Sequence, residues 1–273
     1  MSGKIAESYP WGKYAPRGRD SLLLLISKLG LAHGPVKRVV GRHWMARHSK
    51  VPVDVTYNDM KFRLHPWDNT IESKMLFASG KRERSELKVL QSFFSAGGIF
   101  LDIGANIGYY AIMAAASGAG RILAFEPNPV AYSRLQFNIS ANSLGDRIVA
   151  LPVALGEQSA NAFLSIAQGD MGGSKISATQ TSGVSTSVTV KALSSVLAEE
   201  RIDRIDALKI DVEGMEDSIL FPFFEATPVF MWPLLVILEP NQQQWKRDIL
   251  SWMLKAGYSR IGQTRSNVIL QLF

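Results

Sequence analysis

The stretch Phe100-Leu-Asp-Ile-Gly-Ala-Asn-Ile-Gly-Tyr-Tyr110 passes from an apolar run through an acid, two glycines and an asparagine, and then becomes apolar again. Residues 99–103 predict a short buried strand, and residues 107–117 predict a helix directly after it. Glycine lets the backbone come close to a neighbouring group, and the first turn of a helix presents N–H groups there. The stretch therefore predicts a strand, a tight turn and a helix that together hold a ligand.

The same alternation of strand and helix continues towards the C-terminus. Short apolar strands that alternate with helices indicate a parallel sheet covered by helices on both faces. We therefore predict an α/β protein with a seven-stranded, mostly parallel sheet and an antiparallel C-terminal hairpin. The further predicted strands are residues 121–125, 148–153, 207–210 and 234–238, a helix covers 130–142, and the hairpin covers 258–261 and 268–272.

Two parts precede this main domain of residues 98–273. Residues 1–50 form a basic arm with ten Lys and Arg against two acids, and residues 1–20 of it predict a poorly ordered tail. Asp20 is expected to cap a short helix over residues 21–29, and a basic amphipathic helix follows from about Val36. Residues 51–97 predict a β-hairpin and two helices as an extension of the main domain.

Composition limits the kinds of function. The net charge is +6, but the residues after the arm hold 20 Lys and Arg against 22 Asp and Glu, so the basicity belongs to the arm. The arm predicts either peripheral contact with an anionic inner-membrane surface or carrier, or packing on its own domain, which is favoured. The absence of cysteine excludes disulfides, thiolate zinc sites and cysteine nucleophiles, and no apolar run is long enough to span a membrane. We expect a cytoplasmic protein.

Residues 169–187 differ in composition from the rest of the main domain. Twelve of these 19 residues are Gly, Ser or Thr, which bury little apolar surface. They predict a mobile loop, which serves either as a lid over a substrate or as a plain surface excursion.

Acidic residues follow most of the predicted strands of the main domain. In open α/β sheets, ligands bind beyond the carboxyl ends of the strands, so these acids are candidates for binding and catalysis. An unpaired carboxylate beside an apolar run is costly, which argues against placement by chance. The candidates are Asp102, Glu126, Asp211, Glu213 and Glu239.

The turn and the second strand together favour one kind of ligand. Asn106 stands where a dinucleotide-binding turn needs a glycine to admit a pyrophosphate. Glu126 ends the next strand, where its carboxylate can accept hydrogen bonds from two ribose hydroxyls. These observations favour a nucleoside without a pyrophosphate, and S-adenosylmethionine is such a ligand. Its ammonium would meet carboxylates near Asp102, and its carboxylate would meet the helix amides.

Five blocks of sequence motifs stand in order along the main domain: Phe100–Tyr110, Ala124-Phe-Glu-Pro-Asn-Pro129, Asn138-Ile-x-x-Asn142, Ala154-Leu-Gly156 and Leu208-Lys-Ile-Asp-Val-Glu-Gly-Met-Glu216. With these blocks the chain resembles the FkbM family of S-adenosylmethionine-dependent methyltransferases. The resemblance runs from about residue 98 to 258. Residues 64–69 and 80–83 are also similar to the segment that leads into the family's domain, although Arg82 stands where an aromatic residue is usual.

The resemblance implies a Rossmann-like class I methyltransferase fold and methyl transfer to a hydroxyl of a sugar, a glycan or glycolipid precursor, or a secondary metabolite. It also implies a role for each motif. Asp102, Gly104, Asn106 and Gly108 would line the methionine end of the cofactor, Glu126 the ribose, Asn128 and Ala154 the adenine, and Asp211 and Glu213 the methyl group and acceptor.

A hydroxyl acceptor needs a group that takes its proton. Asp211 and Glu239 should be neighbours at adjacent strand ends, and crowding of like charges raises one pKa. We therefore predict Asp211 as the base, with Glu213 and Glu239 supporting, and His65 as a less favoured candidate. Lys209 is expected to pair with a buried acid or to lower the pKa of the acceptor. No spacing is diagnostic of a metal site, and no metal is predicted.

Three other functions fit parts of the sequence. The basic arm and the cluster of Lys, Asp and Glu suggest a methyltransferase of RNA ribose hydroxyls, but the main domain is slightly acidic, so no specific nucleic acid is expected. A non-catalytic nucleoside-binding protein of the same fold is the alternative from another class. A nicotinamide dehydrogenase is a weaker third alternative.

Overall fold

The computed structural model describes residues 6–28, 34–48, 50–77, 84–165, 173, 175–177, 179–180 and 185–273, and of residues 26–28, 34–40, 84 and 175 it describes the backbone alone. The predicted hairpin and the helices around it are confirmed. In chain order they are α1 (Arg19–Lys28), α2 (Gly34–Arg47), β1 (Val53–Tyr57), β2 (Met60–Leu64), α3 (Thr70–Phe77) and α4 (Arg84–Phe93).

The main domain follows with β3 and is built on a seven-stranded sheet. Its elements are β3 (Ile99–Ile103), α5 (Tyr109–Ala116), β4 (Arg121–Phe125), α6 (Pro129–Ala141), β5 (Ile148–Leu151), β6 (Ala154–Leu155), β7 (Ala160–Ser165), β8 (Lys175–Ser177), β9 (Ser185–Lys191), α7 (Leu193–Glu199), β10 (Ala207–Ile210), α8 (Glu216–Ala226), β11 (Leu235–Leu238), α9 (Ile249–Lys255), β12 (Tyr258–Gln263) and β13 (Val268–Leu272).

The strand order of the large sheet is β12-β13-β11-β10-β3-β4-β5. The five strands from β11 to β5 run parallel, and β13 joins β11 antiparallel. The predicted α/β class, the seven-stranded sheet and the closing hairpin are therefore confirmed. The chain adds strands on one side of β3 and then on the other, so the order reverses between β3 and β10. Ligands of such sheets bind at this point, beyond the carboxyl ends of the strands.

Alternate side chains of the central strands pack against helices on opposite faces. Phe100 and Ile122 belong to the core beneath α5 and α6, whereas Leu101 and Leu123 belong to the core beneath α7, α8 and α9. All four side chains are buried. Burial of both faces explains why these strands are continuous apolar runs in the sequence.

A second sheet, of order β6-β9-β7-β8, was not predicted. The predicted strand over 148–153 divides here, because β5 ends at Leu151 in the large sheet and β6 pairs with β9. The loop prediction for 169–187 is wrong at residues 175–177 and 185–187, which form β8 and the start of β9. The other residues of that segment, apart from 173, 179 and 180, lie outside the described part of the chain.

The predicted disorder of the first 20 residues is wrong for residues 6–20. The guanidinium of Arg63 donates to the backbone carbonyls of Ala6, Tyr9 and Pro10. Both Arg63 and its ion-pair partner Asp54 are buried, 2.7 Å apart. The N-terminal segment therefore packs on the β1–β2 hairpin through a buried charge. Residues 1–5 lie outside the described residues.

The two helices of the arm also pack on the protein. Asp20 lies inside the first turn of α1, which begins at Arg19, and pairs with His48 instead of capping the helix. Trp44 of α2 is buried, with its ring 6.4 Å from that of Phe77 at the end of α3. Within the described residues, no helix has the length and apolar character needed to cross a membrane.

Two asparagines of α6 hold the β1–β2 hairpin to the main domain. The side chain of Asn142 accepts from the backbone N–H of Lys61 and donates to its carbonyl. One helical turn earlier, buried Asn138 accepts from the N–H of Arg63 and donates to the carbonyl of Ile107. The two side-chain amides thus pair with the backbone of β2 as a neighbouring strand would. Lys61 and Arg63 are two residues apart on a strand, a distance close to one helical turn, so the asparagines that reach them are four residues apart.

Candidate active site

The turn after β3 is shaped by close packing of backbone. Gly104 has a φ of 82°, and a Cβ at this position would lie 2.0 Å from the carbonyl oxygen of Asp211. Gly108 has a φ of 88°, and a Cβ there would lie 2.5 Å from the side chain of Leu135 on α6. Only glycine fits both the left-handed backbone and the space. These glycines bring β3 against β10 and α6, so their requirement arises from packing.

Asp102 lies beneath the turn and does not face the cavity described below. Its buried carboxylate accepts a 2.8 Å hydrogen bond from the N–H of Ala111 in the first turn of α5. Burial raises its pKa to about 6, against the opposing effect of Lys209. The predicted contact of Asp102 with a ligand has no support in this cavity, because its carboxylate is buried beneath the turn, where it fixes the start of α5.

Glu126 lies at the end of β4 and lines the cavity. Its two carboxylate oxygens accept from the N–H groups of Asn106 and Asn128, each over 2.8 Å. Burial raises its pKa to about 7, although both hydrogen bonds favour the charged form. Each oxygen retains a second lone pair, so the carboxylate can still accept hydrogen bonds from a diol.

Asn128 has a structural role in this arrangement. Its side chain caps α6 by accepting from the N–H groups of Val130 and Ala131, and its own N–H binds Glu126. Neither Asn128 nor Ala154, which is buried in β6, lines the cavity. Their predicted contact with adenine therefore has no support in this cavity, because both side chains face protein.

Lys209, Asp211 and Glu239 meet at the ends of β10 and β11, and we name them the acid–lysine cluster. The Lys209 Nζ lies 2.9 Å from the Asp211 carboxylate, which confirms that this lysine pairs with an acid. Asp211 and Glu239 directly follow Ile210 and Leu238, which pair in the register of β10 and β11, so the predicted neighbourhood of these two acids is also confirmed.

The three groups of the acid–lysine cluster carry different charges. Burial and the adjacent Asp211 raise the pKa of Glu239 to about 8. Burial also opposes the charge of Asp211, but Lys209 outweighs it and holds the pKa of Asp211 below its usual value. Lys209 is buried, yet the surrounding carboxylates raise its pKa. At neutral pH the cluster thus holds a charged Lys209–Asp211 pair and a proton on Glu239.

The loop after β10 is fixed by Glu216, whose role was not predicted. Its buried carboxylate accepts from the N–H groups of Val212 and Gly214 and from the indole N–H of Trp245. Glu213 lies between the first two residues, with a left-handed φ of 56°, and lines the cavity. The sequence placed Glu216 within a family motif, but only the loop geometry shows that it supports Glu213.

A cavity of about 640 Å³ joins these groups at the point where the strand order reverses. Its volume is within the range of small-molecule sites. Among the predicted site residues, Gly104, Asn106, Glu126, Asp211, Glu213 and Glu239 line it, whereas Asp102, Gly108, Asn128 and Ala154 do not.

The extension before the main domain forms one wall of the cavity. Residues Tyr57, Thr70, Ile71, Lys74 and Met75 line it, and most of them lie on α3. The wall is tied to the turn after β3, because the side-chain amide of Asn69 donates to the side chain of Asn106 over 2.8 Å.

His65, the less favoured base candidate, lies away from the cavity. It is buried between Glu7 and Glu72, at 3.0 Å and 3.5 Å. Burial opposes its charge, but the two glutamates outweigh burial and raise its pKa. Among the described residues, no group of three or more His, Asp or Glu is arranged to hold a metal ion.

The sequence of this domain matches a known family. A family model described as the methyltransferase FkbM domain matches residues 102–260, more than half of the chain. The chain belongs to the FkbM methyltransferase family. The match begins at Asp102, beneath the turn, and extends into β12, so it contains the acid–lysine cluster and Glu126. The predicted family is thus confirmed.

Two curated relatives of this FkbM chain are methyltransferases. One is methyltransferase sdnD of Sordaria araneosa, 31% identical over an alignment of 150 residues that covers 44% of this chain and 58% of the relative. The other is the hexuronic acid methyltransferase AglP of Haloferax volcanii, 30% identical over 142 residues, 50% of this chain and 55% of the relative. The matches thus span a little over half the length of these relatives.

Solved structures of methyltransferases are also similar to this chain. The methyltransferase FkbM from Methylobacillus flagellatus KT has a TM-score of 0.42 and 15% identity, over 65% of this chain and 44% of that chain. M. jannaschii TYW2 in complex with AdoMet has a TM-score of 0.42 and 12% identity, over 82% and 88%. Both TM-scores lie below 0.5, so the family assignment rests on the sequence match.

Proposed function

We propose that this methyltransferase uses S-adenosylmethionine and methylates a hydroxyl of a sugar, of a glycan or glycolipid precursor, or of a secondary metabolite. The observation that carries the proposal is a single cavity lined by Glu126 at one end and by the acid–lysine cluster at the other. The hexuronic acid acted on by one relative supports a sugar as the acceptor.

The spacing of the strands supports this cofactor. Glu126 ends β4, and Asp211 follows β10, two strands away across β3. Neighbouring strands are about 4.8 Å apart, so the two carboxylates are separated by about 10 Å across the sheet. A nucleoside held by its ribose at Glu126 would thus direct its 5′ substituent towards Asp211.

The charge of the cavity also suits this cofactor. Glu126, Asp211, Glu213 and Glu239 line it, opposed by Lys74 and Lys209. Because Glu239 holds a proton at neutral pH and the pKa of Glu126 is about 7, the charged acids of the empty cavity only slightly exceed its lysines, and a bound sulfonium and ammonium would favour ionisation of both glutamates. The N–H groups of Ala111 and Asn106 already bind Asp102 and Glu126, so the predicted site for the cofactor carboxylate at the helix amides has fewer donors than expected.

When bound, S-adenosylmethionine would supply an electrophilic methyl group, whose transfer to the acceptor oxygen would leave the electron pair of the broken carbon–sulfur bond on sulfur. The protein has to take the hydroxyl proton and hold the acceptor in line. The coupled carboxylates of Asp211 and Glu239 are suited to the proton transfer. Asp211, which keeps its charge beside Lys209, orients the hydroxyl, and the proton passes to the Asp211–Glu239 pair.

Binding and turnover test the proposal separately. We expect calorimetry to detect micromolar binding of S-adenosylmethionine and none of NADH. Asp211→Asn is expected to bind the cofactor more weakly, because a carboxylate near the sulfonium is lost, and, at saturating cofactor, to lose about 100-fold or more of turnover, the range for loss of a general base. Glu157→Gln is a control on an exposed loop, and we expect it to leave both measurements unchanged.

Four outcomes would contradict parts of the proposal. Failure of the wild-type protein to bind S-adenosylmethionine would exclude the cofactor, and near-normal turnover of Asp211→Asn would exclude its role in proton transfer. A methylated product that mild alkali hydrolyses would be an ester, which points to a carboxylate acceptor instead of a hydroxyl. Binding of RNA that weakens steeply with salt would favour the RNA alternative.

A further inference from the structure

Asn267 lies at the opposite edge of the cavity from Glu126. It directly precedes β13, whose first residue, Val268, pairs with Leu238 at the end of β11. Asn267 and Glu239 are thus the next residues on two antiparallel neighbours, with their backbones about 5 Å apart. Asn267 lines the cavity although only 5% of its surface is exposed to solvent.

The side-chain amide of Asn267 is only half used by the protein. Its Nδ2 donates to the buried carboxylate of Glu86 over 3.1 Å and approaches the hydroxyl of Tyr110 at 3.5 Å. Its Oδ1 is buried and has no hydrogen-bond partner among the residues that the structure describes. Glu86 fixes this orientation, because a flipped amide would set an oxygen against the carboxylate.

A buried carbonyl oxygen without a donor is unfavourable, so its retention needs a reason. The contact with Glu86 explains the nitrogen of Asn267 but not the oxygen. Asn267 lines a cavity beside the acid–lysine cluster, on the side away from the ribose end, and a small turn of its side chain would bring the buried oxygen to the cavity surface. A ligand that supplies the missing donor there would be the molecule that receives the methyl group.

We propose that the Asn267 Oδ1 accepts a hydrogen bond from a second, non-reacting hydroxyl of the acceptor. The site thereby selects acceptors with several hydroxyls, such as a sugar ring, over alcohols with one. A sugar ring spans the distance of about 5 Å between neighbouring strands, so one hydroxyl can lie at the cluster while another reaches Asn267. This inference rests on the proposed function and adds the class of acceptor to it.

Asn267 can be changed without loss of the hairpin that carries it. Its backbone N–H donates to the hydroxyl of Thr264, and its carbonyl accepts from the N–H of Thr264. These bonds hold the turn whatever the side chain is. Arg265, an exposed residue of the same turn, provides the matched control Arg265→Ala.

The experiment compares methyl hexopyranosides, methyl hexuronosides and their monodeoxy analogues with cyclohexanol. Binding is followed by saturation-transfer NMR with S-adenosylhomocysteine present, and methylation by cofactor consumption. We expect Asn267→Ala to lower kcat/KM for the best sugar about 10- to 100-fold, the range for a hydrogen bond to a buried polar group. The affinity for S-adenosylmethionine should not change, and Arg265→Ala should behave as the wild type.

The deoxy analogues separate recognition from a general effect on folding. For one monodeoxy sugar, kcat/KM of the wild type should be about as low as kcat/KM of Asn267→Ala for the parent sugar. In Asn267→Ala, removal of that hydroxyl should cause no further loss of kcat/KM. Asn267→Asp, which keeps an acceptor oxygen, should retain more of the discrimination than Asn267→Ala.

Two results would overturn the inference while leaving the proposed function intact. One is a wild-type protein that binds S-adenosylmethionine but does not prefer any sugar to cyclohexanol in binding or turnover. The other is a finding that Asn267→Ala lowers kcat/KM for the parent sugar and for the deoxy sugar by the same factor. A wild-type protein that does not bind S-adenosylmethionine would instead overturn the proposed function.

Discussion

At the scale of single residues, similar carboxylates acquire different properties from their surroundings. Asp102, Glu126 and Glu239 all end strands of the same sheet, and burial raises their pKa values to about 6, 7 and 8. Asp102 is sealed beneath a helix, Glu126 binds two backbone amides, and Glu239 adjoins a second acid. The same edge of the sheet therefore carries one structural group and, in the proposed function, one binding group and one proton carrier.

The pKa of Glu126 predicts how cofactor affinity depends on pH. The proposed contact with the ribose diol requires the carboxylate to accept two hydrogen bonds, so ligand binding favours the charged form. Below a pH of about 7, Glu126 of the free protein is protonated, so the affinity for S-adenosylmethionine should fall by up to about tenfold for each unit that the pH is lowered. Calorimetry between pH 5.5 and 8.5, at roughly even steps, measures this slope.

Glu126→Gln provides the comparison for that slope. Its affinity for S-adenosylmethionine should be about 10- to 100-fold weaker than that of the wild type at pH 8, about the value of a charged hydrogen bond. Its affinity should also be nearly independent of pH. A wild-type affinity that does not change with pH would contradict the assigned contact.

The coupled acids predict a pH–rate profile. Glu239 can take a proton only when it is ionised, so kcat should rise with pH through a pKa of about 8 and then level off. Asp211→Asn removes the negative charge that raises this pKa, so the residual activity should level off at a lower pH. Single-turnover rates measured across this pH range give the midpoint of the rise for the wild type and for Asp211→Asn. Identical midpoints in these two proteins would refute the coupling of the two acids.

The sequence predicted these acids better than their roles. The end of an apolar strand is visible in a sequence, so Glu126, Asp211 and Glu239 were identified correctly as residues of the cavity. Which acid is sealed depends on contacts with later elements, such as that between Asp102 and Ala111. Asn267 and Glu216 were missed for the same reason, because their partners lie 181 and 29 residues away.

At the scale of elements, α6 and the β1–β2 hairpin are joined by side-chain amides in place of a strand. Asn138→Ala leaves the buried N–H of Arg63 and the carbonyl of Ile107 without partners. We expect a loss of about 2–4 kcal/mol in the free energy of unfolding, from two unsatisfied buried groups. Urea denaturation measures this loss.

Two variants on the same helix calibrate that measurement. Asn142→Ala should cost less than Asn138→Ala, because its bonds to Lys61 are exposed to water. Gln136→Ala, at an exposed position, should change the free energy of unfolding by less than about 0.5 kcal/mol. Equal losses at positions 138 and 142 would contradict the argument from burial.

The small sheet was missed because its composition is that of a loop. Gly, Ser and Thr are abundant in and around β8 and β9, but alternate residues of the two longer strands still form a core. Ala162 and Leu164 of β7 face Val188 and Val190 of β9, and all four are buried. Alternation over residues 185–191 was thus a better signal than composition.

At the scale of the whole molecule, the N-terminal part of the chain is continuous with the active site. The hairpin packs on α6, α3 lines the cavity, and Trp44 of α2 packs against the end of α3. The division into an arm at residues 1–50 and an extension at 51–97 stays a prediction of sequence parts. In the structure, the extension forms the wall of the cavity, and the arm packs against the end of the helix that carries most of that wall.

Arg63 tests how tightly the N-terminal segment is joined to the rest. Arg63→Met leaves the buried carboxylate of Asp54 without its charged partner, and should lower the free energy of unfolding by about 3–5 kcal/mol. It should also expose residues 6–16 to limited proteolysis, since three of their carbonyls lose a donor.

Arg204→Met is the control for Arg63→Met, because the side chain of Arg204 is exposed and its pair with Asp206 should contribute less than about 1 kcal/mol. If cleavage within residues 6–16 is no faster in Arg63→Met than in this control, then other contacts hold the segment.

The contact between Gly104 and Asp211 has a consequence for how this enzyme can change. At the floor of the cavity the backbone of Gly104 packs against the backbone of Asp211, with no room for even a methyl group. The distance between the proposed cofactor side of the cavity and its proposed acceptor side is therefore fixed by the sheet itself. Variation at the floor would move the strands apart. A new acceptor must therefore be accommodated at the walls, by substitutions on α3 and on the hairpin that carries Asn267, while the floor keeps the same reaction in place.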